Sequence, residues 1–339
     1  MVVRSGVIGL GMMGRHHVRV LQEIDGTELV SIADPEPRTL AAALRGRDVR
    51  GYADYQRMLE HERLDLVVVA VPTSMHLTVA TAVMQSGAHV LIEKPIAATC
   101  DEARELMAQA DRNRRWLAVG HLERFNPAVV ALKERLAHGD LGRVFRLHAR
   151  RMGPFPARIR DVGVVIDLAT HDIDISRYLL GSEPARIFAE TARRIHTDHE
   201  DMLSALLRFE DNAVVQLDVN WLTPTKIREL TLTGECGMFH VNYLTQELTL
   251  FENNDAENGV LEQVASVTEG RMVRFKIQPK EPLRAELEDV VAAVADNRPP
   301  LVGPTDAYRA LEIAQAIVAA GRLGEVVVAP PAHAVAVPA

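Results

Sequence analysis

Two stretches far apart in the chain carry residue types suited to moving a proton off a hydroxyl while its carbon loses hydride. The first is Glu93-Lys94-Pro95, which ends the apolar run beginning at His89. Proline disfavours the helical region for the residue before it, so Lys94 is expected to be held at a strand end. An ammonium there can hydrogen-bond a hydroxyl and stabilise the alkoxide character that develops as hydride leaves. Taken alone, Lys94 reads more readily as a solvated surface lysine. The second stretch is Asp167-Leu-Ala-Thr-His171-Asp-Ile-Asp174. Read as the start of a helix, it puts Asp167, His171 and Asp174 at i, i+4 and i+7, on one face. A carboxylate beside histidine fixes the ring and supports its charged form, which makes a proton acceptor near neutral pH. The competing reading is that these carboxylates cap the helix. The two-histidine helical spacing of zinc hydrolases is absent, and no metal is expected.

A hydride needs an acceptor, and the N-terminus offers a place for one. Val2, Val3, Val7 and Ile8 form an apolar run, Gly9-x-Gly11-x-x-Gly14 follows, and Gly14, Val18, Leu21 and Ile24 have helical spacing. Strand, tight turn and helix in this order bring a pyrophosphate to the positive end of a helix, with Gly9 for the turn, Gly11 for close approach and Gly14 for packing. A second strand, 28–33, ends in Asp34, where an acid meets the ribose hydroxyls. Its charge would repel a 2′-phosphate, so NAD is expected, with NADP the lesser alternative because Arg38 is near. Met12, Met13, Pro72, Thr73, His76, Glu93 and Lys94 complete the expected cofactor contacts. His16 and His17 are read as helix-face residues near the cofactor.

The chain has 339 residues and a net charge of -8, enough for about two domains and unlike a nucleic-acid surface. Cys100 and Cys236 form no metal spacing and fit a reduced, cytoplasmic setting. No secretion signal and no membrane span are expected: the longest apolar run, 64–84, is broken by Asp65, Pro72 and His76.

Up to about residue 121, strands at 66–71, 89–93 and 116–120 alternate with helices. One helix ends at Gln85, and another is opened by a Thr99/Glu102 capping box. This predicts an α/β Rossmann-type parallel sheet domain over 1–121. An α+β domain with a large, mostly antiparallel open sheet is expected over 122–328. Its helices are expected at 127–138, 284–297 and 305–321, and its strands include 202–209, 213–220 and 227–233. A loosely ordered tail is expected over 329–339. Met202, Leu203, Leu206 and Leu207 make one strand apolar on both sides, so a homo-oligomer through the open sheet face is expected, a covering loop being the alternative.

With these motifs in this order, the chain resembles the glucose-fructose oxidoreductase, inositol dehydrogenase and MocA family over nearly its whole length. The resemblance implies that Lys94, Asp167 and His171 line a substrate pocket beside the nicotinamide. Many members carry paired glycines ahead of the aspartate, whereas here Gly163 stands alone. Two stretches, His121-Leu-Glu-Arg-Phe-Asn-Pro127 and the segment leading to Asp167, are more similar to members that oxidise the 3-hydroxyl of UDP-N-acetylglucosamine. That likeness implies substrate contacts at Arg124, Asn126, Arg158 and Arg160. Arginine forks suit a diphosphate, although Arg146 and Arg150 alternate with apolar residues and equally fit an exposed strand face. The expected substrate is a sugar or nucleotide sugar. An inositol or free-sugar dehydrogenase is one alternative, and a sensor binding NAD and a sugar without turnover is another.

Overall fold

The computed structural model describes residues 1–156, 162–196, 198–253 and 270–331. The first part runs β1 (Val3–Ile8), α1 (Met12–Glu23), β2 (Thr27–Ala33), α2 (Pro37–Leu44), β3 (Arg50–Tyr52), α3 (Tyr55–His61), β4 (Leu66–Val69), α4 (His76–Gln85), β5 (His89–Ile92), α5 (Cys100–Asn113) and β6 (Leu117–Val119). The second runs α6 (Pro127–Ala137), β7 (Val144–Met152), α7 (Thr170–Leu180), β8 (Pro184–Ala192), β9 (Met202–Phe209), β10 (Val214–Asn220), β11 (Ile227–Gly234), β12 (Gly237–Asn242), β13 (Glu247–Glu252) and β14 (Met272–Arg274). The chain continues through α8 (Pro282–Ala295), α9 (Pro304–Leu323) and β15 (Val327–Val328).

The chain divides into two compact units, Met1–Leu122 with Glu281–Glu312 and Glu123–Lys280 with Ile313–Pro331. This differs from the single break expected near residue 121, because α8 belongs to the first unit. Its inward stripe of Leu283, Leu287, Val290, Val291 and Val294 joins the core that holds Val3, Val7, Val18 and Leu21. Apolar periodicity announces a buried face without saying what covers it.

In the first unit a six-stranded sheet has the order β3-β2-β1-β4-β5-β6, and its neighbouring strands are all parallel. Strand order therefore reverses between β1 and β4, the position where open α/β sheets bind ligands. The turn chemistry works largely as its residues require. Thr99 Oγ1 accepts the Glu102 N–H at 3.2 Å, and Glu102 answers by accepting the Ala98 N–H, one residue earlier than a capping box expects, at 3.0 Å.

In the second unit a nine-stranded sheet has the order β14-β13-β12-β11-β7-β10-β9-β8-β15. It is antiparallel except where β7 lies parallel to β10. Period-two alternation turns Leu147, Ala149, Leu203, Leu207, Val215, Leu217, Leu230 and Leu232 inward, all buried. The opposite face is not the apolar surface expected from Met202 and Leu206. Leu206 is 48 % exposed, but its neighbours include ion pairs and hydrogen bonds: His148 with Asp218 at 2.7 Å, Arg150 with Glu229 and Arg146 with Gln216. Among the described residues no helix is long and apolar enough to cross a membrane.

Candidate active site

In the first unit the glycine loop is shaped by backbone approach. Gly9 has φ +89°, and a Cβ there would lie 2.6 Å from the Ala70 carbonyl oxygen. A Cβ on Gly14 would lie 1.8 Å from the carbonyl oxygen of Gly9, whereas one on Gly11 would meet nothing within 4 Å. Gly9 and Gly14 thus let the chain fold on itself, and Gly11 leaves an open approach at the start of α1. That helix has no side-chain cap and no acidic residue in its first turn, so its amino end suits an anion. Asp34 braces the loop: its Oδ2 accepts the Leu10 N–H at 2.7 Å and its Oδ1 the Glu36 N–H at 2.9 Å. An open cradle at a helix N-terminus with a braced carboxylate beside it fits a dinucleotide. Met12 is 45 % exposed at the loop, and Pro72 precedes the short helical turn Thr73–Met75 at the end of β4.

Two residues expected to meet the cofactor are tied to the segment that carries Lys94. His76 is buried, with Nε2 3.1 Å from the Val71 carbonyl and Nδ1 3.0 Å from that of Pro95. Burial pushes its imidazole below the ordinary value. It therefore fastens the segment after β4 to the one after Lys94. Glu93 accepts a hydrogen bond from His17 Nε2 at 2.7 Å. Burial opposes ionisation of Glu93, but the His17 bond and the charges of His17 and Lys94 outweigh it and hold the carboxyl below its usual range. His17, placed near the cofactor by its spacing, is fully buried. Lys94 itself is half-buried at the end of β5, and its bond to Pro95 is cis.

In the second unit Asp167 lies on a π-helical turn, Val165–Ala169, that runs into α7. The regular helix expected from Asp167 to Asp174 is thus interrupted at its start, in the kind of wide turn often found at functional sites. Glu200 supports this turn: its carbonyl accepts the Val164 N–H at 2.9 Å, and its Oε1 accepts that of Val165 at 3.3 Å. A Cβ on Gly163 would lie 2.0 Å from Glu200 Oε1, so this one glycine leaves room for the glutamate. Nothing in the local sequence pointed to Glu200. His171 follows at the start of α7 and is 9 % exposed.

Behind His171 lies a buried ionic network. Asp172 receives a fork from Arg151, with Nε at 2.8 Å and Nη2 at 3.0 Å. Arg151 also reaches Glu123 at 2.9 Å. Burial works against both charges of the Arg151–Asp172 pair. Asp172 and Glu123 nevertheless hold the guanidinium above its ordinary value, whereas burial leaves the Asp172 carboxyl above its own despite Arg151. Asp174 takes a second fork from Arg124, with Nε at 2.8 Å and Nη2 at 2.6 Å. Arg124 stacks on Tyr178 at 4.9 Å, and Arg151 on Tyr243 at 5.2 Å.

This network engages two of the expected substrate contacts. Arg124 is 5 % and Asn126 2 % exposed. The amide of Asn126 is committed to the Tyr243 carbonyl at 3.1 Å and to the Ala128 N–H at 3.1 Å, where it caps α6. Both residues hold α6 and α7 in place from within the unit. The other two, Arg158 and Arg160, lie outside the described residues. A cation the sequence reading missed is Arg228 of β11, which donates to the Ile227 carbonyl at 2.8 Å. Burial and the charge of Arg151 push its guanidinium down, while Asp172, Glu123 and Asp167 work the other way.

A six-stranded parallel sheet of this order, with a glycine loop after β1 and an acid after β2, defines a dinucleotide-binding domain of the Rossmann type. Residues 3–121 match the family model for the oxidoreductase family with NAD-binding Rossmann fold, and residues 129–240 match the GFO/IDH/MocA C-terminal domain. The chain is 29 % identical over 297 residues to the UDP-N-acetylglucosamine 3-dehydrogenase of Acidithiobacillus ferrooxidans, covering 88 % of this chain and 90 % of that one. It is 30 % identical over 344 residues to inositol 2-dehydrogenase 2 of Saccharopolyspora erythraea, covering 97 % of each. A solved structure of the Acidithiobacillus ferrooxidans enzyme superposes with a TM-score of 0.83 at 27 % identity, over 96 % of this chain and all of that one. The chain belongs to the Gfo/Idh/MocA family, and it is an NAD-dependent dehydrogenase acting on CH–OH groups.

Proposed function

We propose that this dehydrogenase oxidises, reversibly, the 3-hydroxyl of a nucleotide sugar of the UDP-N-acetylglucosamine class. The observation that carries the reading is its joint likeness, in sequence and in fold over nearly the full length, to a UDP-N-acetylglucosamine 3-dehydrogenase. In this reading His171 takes the hydroxyl proton, Lys94 donates a hydrogen bond to the same oxygen, and Asp167 orients the pair. Bound nicotinamide supplies the hydride acceptor. The amino end of α1 takes the pyrophosphate, with Gly9, Gly11 and Gly14 shaping the approach, and Asp34 takes the adenosine ribose. Met12, Met13, Pro72 and Thr73 border the cofactor.

A second reading, a polyol dehydrogenase, rests on the 30 % identity to an inositol 2-dehydrogenase over the whole chain. Purified protein with NAD should develop reduced-nicotinamide absorbance with UDP-N-acetylglucosamine and not with myo-inositol. The reverse result selects the polyol reading, and no absorbance with any sugar, polyol or nucleotide sugar selects a non-catalytic binder. Self-association through the open face of the large sheet belongs to the same proposal, supported by the exposed Leu206 on that face. Sedimentation at the mass of a single chain would remove it.

Asp34 gives a sharper test of the cofactor assignment. Asp34→Asn keeps an acceptor for the Leu10 N–H but removes the charge. It should weaken NADH binding about tenfold or more, the worth of a hydrogen bond to a charged group, and weaken NADPH binding far less. Fluorescence titration with both nucleotides reads the change. Equal loss for both would mean that Asp34 only braces the loop.

A further inference from the structure

Glu286 is the one charged residue on the inward stripe of α8, between Leu283 and Leu287, and it is 1 % exposed. Neither of its carboxylate oxygens has a hydrogen-bond partner among the described residues. A bare carboxylate in such surroundings is costly enough that the group takes up a proton instead. α8 packs on α1 and β1, and the ionisable groups that those elements carry can be named. From α1 comes the buried His17, bonded to Glu93. β1 directs its Arg4 to Glu28 and the Arg63 carbonyl. α8 itself contributes Asp289, and the end of β5 contributes Glu93, whose charge Glu286 feels.

We propose that Glu286 is a positioning residue which acts on Lys94 through the His17–Glu93 pair, and that it does so by holding a proton. Two carboxyls within electrostatic reach in a buried region divide their roles, one ionised and one neutral. His17 selects Glu93 as the ionised member, so Glu286 is the neutral one. Burial and the charges of Glu93 and Asp289 all push the Glu286 carboxyl well above its ordinary value. With Glu286 neutral, Glu93 keeps its bond to His17 and Lys94 keeps its place at the strand end. Once Glu286 ionises as pH rises, a second negative charge loosens that arrangement. The inference rests on the proposed role of Lys94 for its consequence in turnover, but its physical content can be read without any substrate.

The test compares the wild-type protein with Glu286→Gln, which imitates the protonated acid, and Glu286→Leu, which fills the space without polarity. The wild type should show the infrared carbonyl stretch of a protonated carboxylic acid at pH 7, and both variants should lack it. Labelling of Lys94 by acetic anhydride, followed by mass spectrometry, should match the wild type at neutral pH in the glutamine variant. It should match in the leucine variant too, which likewise carries no charge, whereas at higher pH, once Glu286 has ionised, the wild type alone should depart from both variants, by about tenfold for the equivalent of one pKa unit. The stability difference has a defined sign. A carboxyl raised on folding contributes stability that is present below its unfolded pKa and lost as pH rises through the folded one. Glu286→Gln should therefore gain in melting temperature over the wild type as pH rises above about 4.3. Absence of the acid band, or Lys94 labelling that stays equal in all three folded proteins as pH is raised, overturns the proposal. Should the leucine variant not fold, the band and the melting-temperature trend decide between the other two. If the band and labelling behave as stated while Lys94→Met keeps full turnover, the catalytic reading fails and this one stands.

Discussion

Replacing Lys94 with methionine, or His171 with asparagine, is expected to lower turnover about 10²- to 10⁴-fold while leaving NADH binding nearly unchanged. The size follows from what each group is asked to do. In the proposed chemistry a hydroxyl loses its proton as its carbon loses hydride, and both changes build negative character on one oxygen. Lys94 meets that charge from the end of β5, where Glu93, His17 and His76 hold the segment in place. His171 meets the proton from the first turn of α7. Asparagine keeps a hydrogen-bonding side chain but cannot take up a proton near neutral pH. Neither substitution touches the glycine loop or Asp34, so nucleotide titration serves as the internal control. Turnover retained in both variants would remove the assignment.

The second large effect is on stability. Asp172→Ala should destabilise the second unit by about 3–5 kcal/mol, because it leaves the Arg151 guanidinium, 4 % exposed, with a buried charge and one remaining acid partner in Glu123. An exposed pair would be worth about 1 kcal/mol or less. Trp221, which is 3 % exposed in this unit, reports its unfolding in urea once Trp116 of the first unit is replaced by phenylalanine. The double substitution Arg151→Met with Asp172→Leu should recover most of the loss, since it removes both charges together. A loss below about 1 kcal/mol for Asp172→Ala would show that the fork contributes no more than a surface pair. The same experiment bears on function, because α7 carries His171 and the fork anchors α7 to β7.

Much of the first unit was legible in the residues alone because its signals are local. Gly9 and Gly14 must be glycine for steric reasons that hold wherever a strand turns tightly into a helix, and the buried strands β4 and β5 are apolar runs of the right length. Short or mixed elements were not legible. β3 is three residues with little burial, and β8 begins at a proline and mixes polar and apolar positions. The π-helical turn under Asp167 escaped because its support, Glu200, comes from a separate segment.

Arg124 and Asn126 show the limit in another form. Both residue types suit a diphosphate or sugar, and only the fold reveals that Asp174 and the Tyr243 carbonyl already hold them. The meaning of Glu286 required knowing that α8 returns to the first unit and lies near Glu93. Residue spacing by itself established which side chains could carry chemistry, which loop could hold a nucleotide, and which faces had to be buried. Tertiary structure alone decided which of those polar groups were spent on one another and which were left to meet a ligand. Burial periodicity is a property of a single segment, whereas the pairing of charges depends on segments brought together only when the chain has folded.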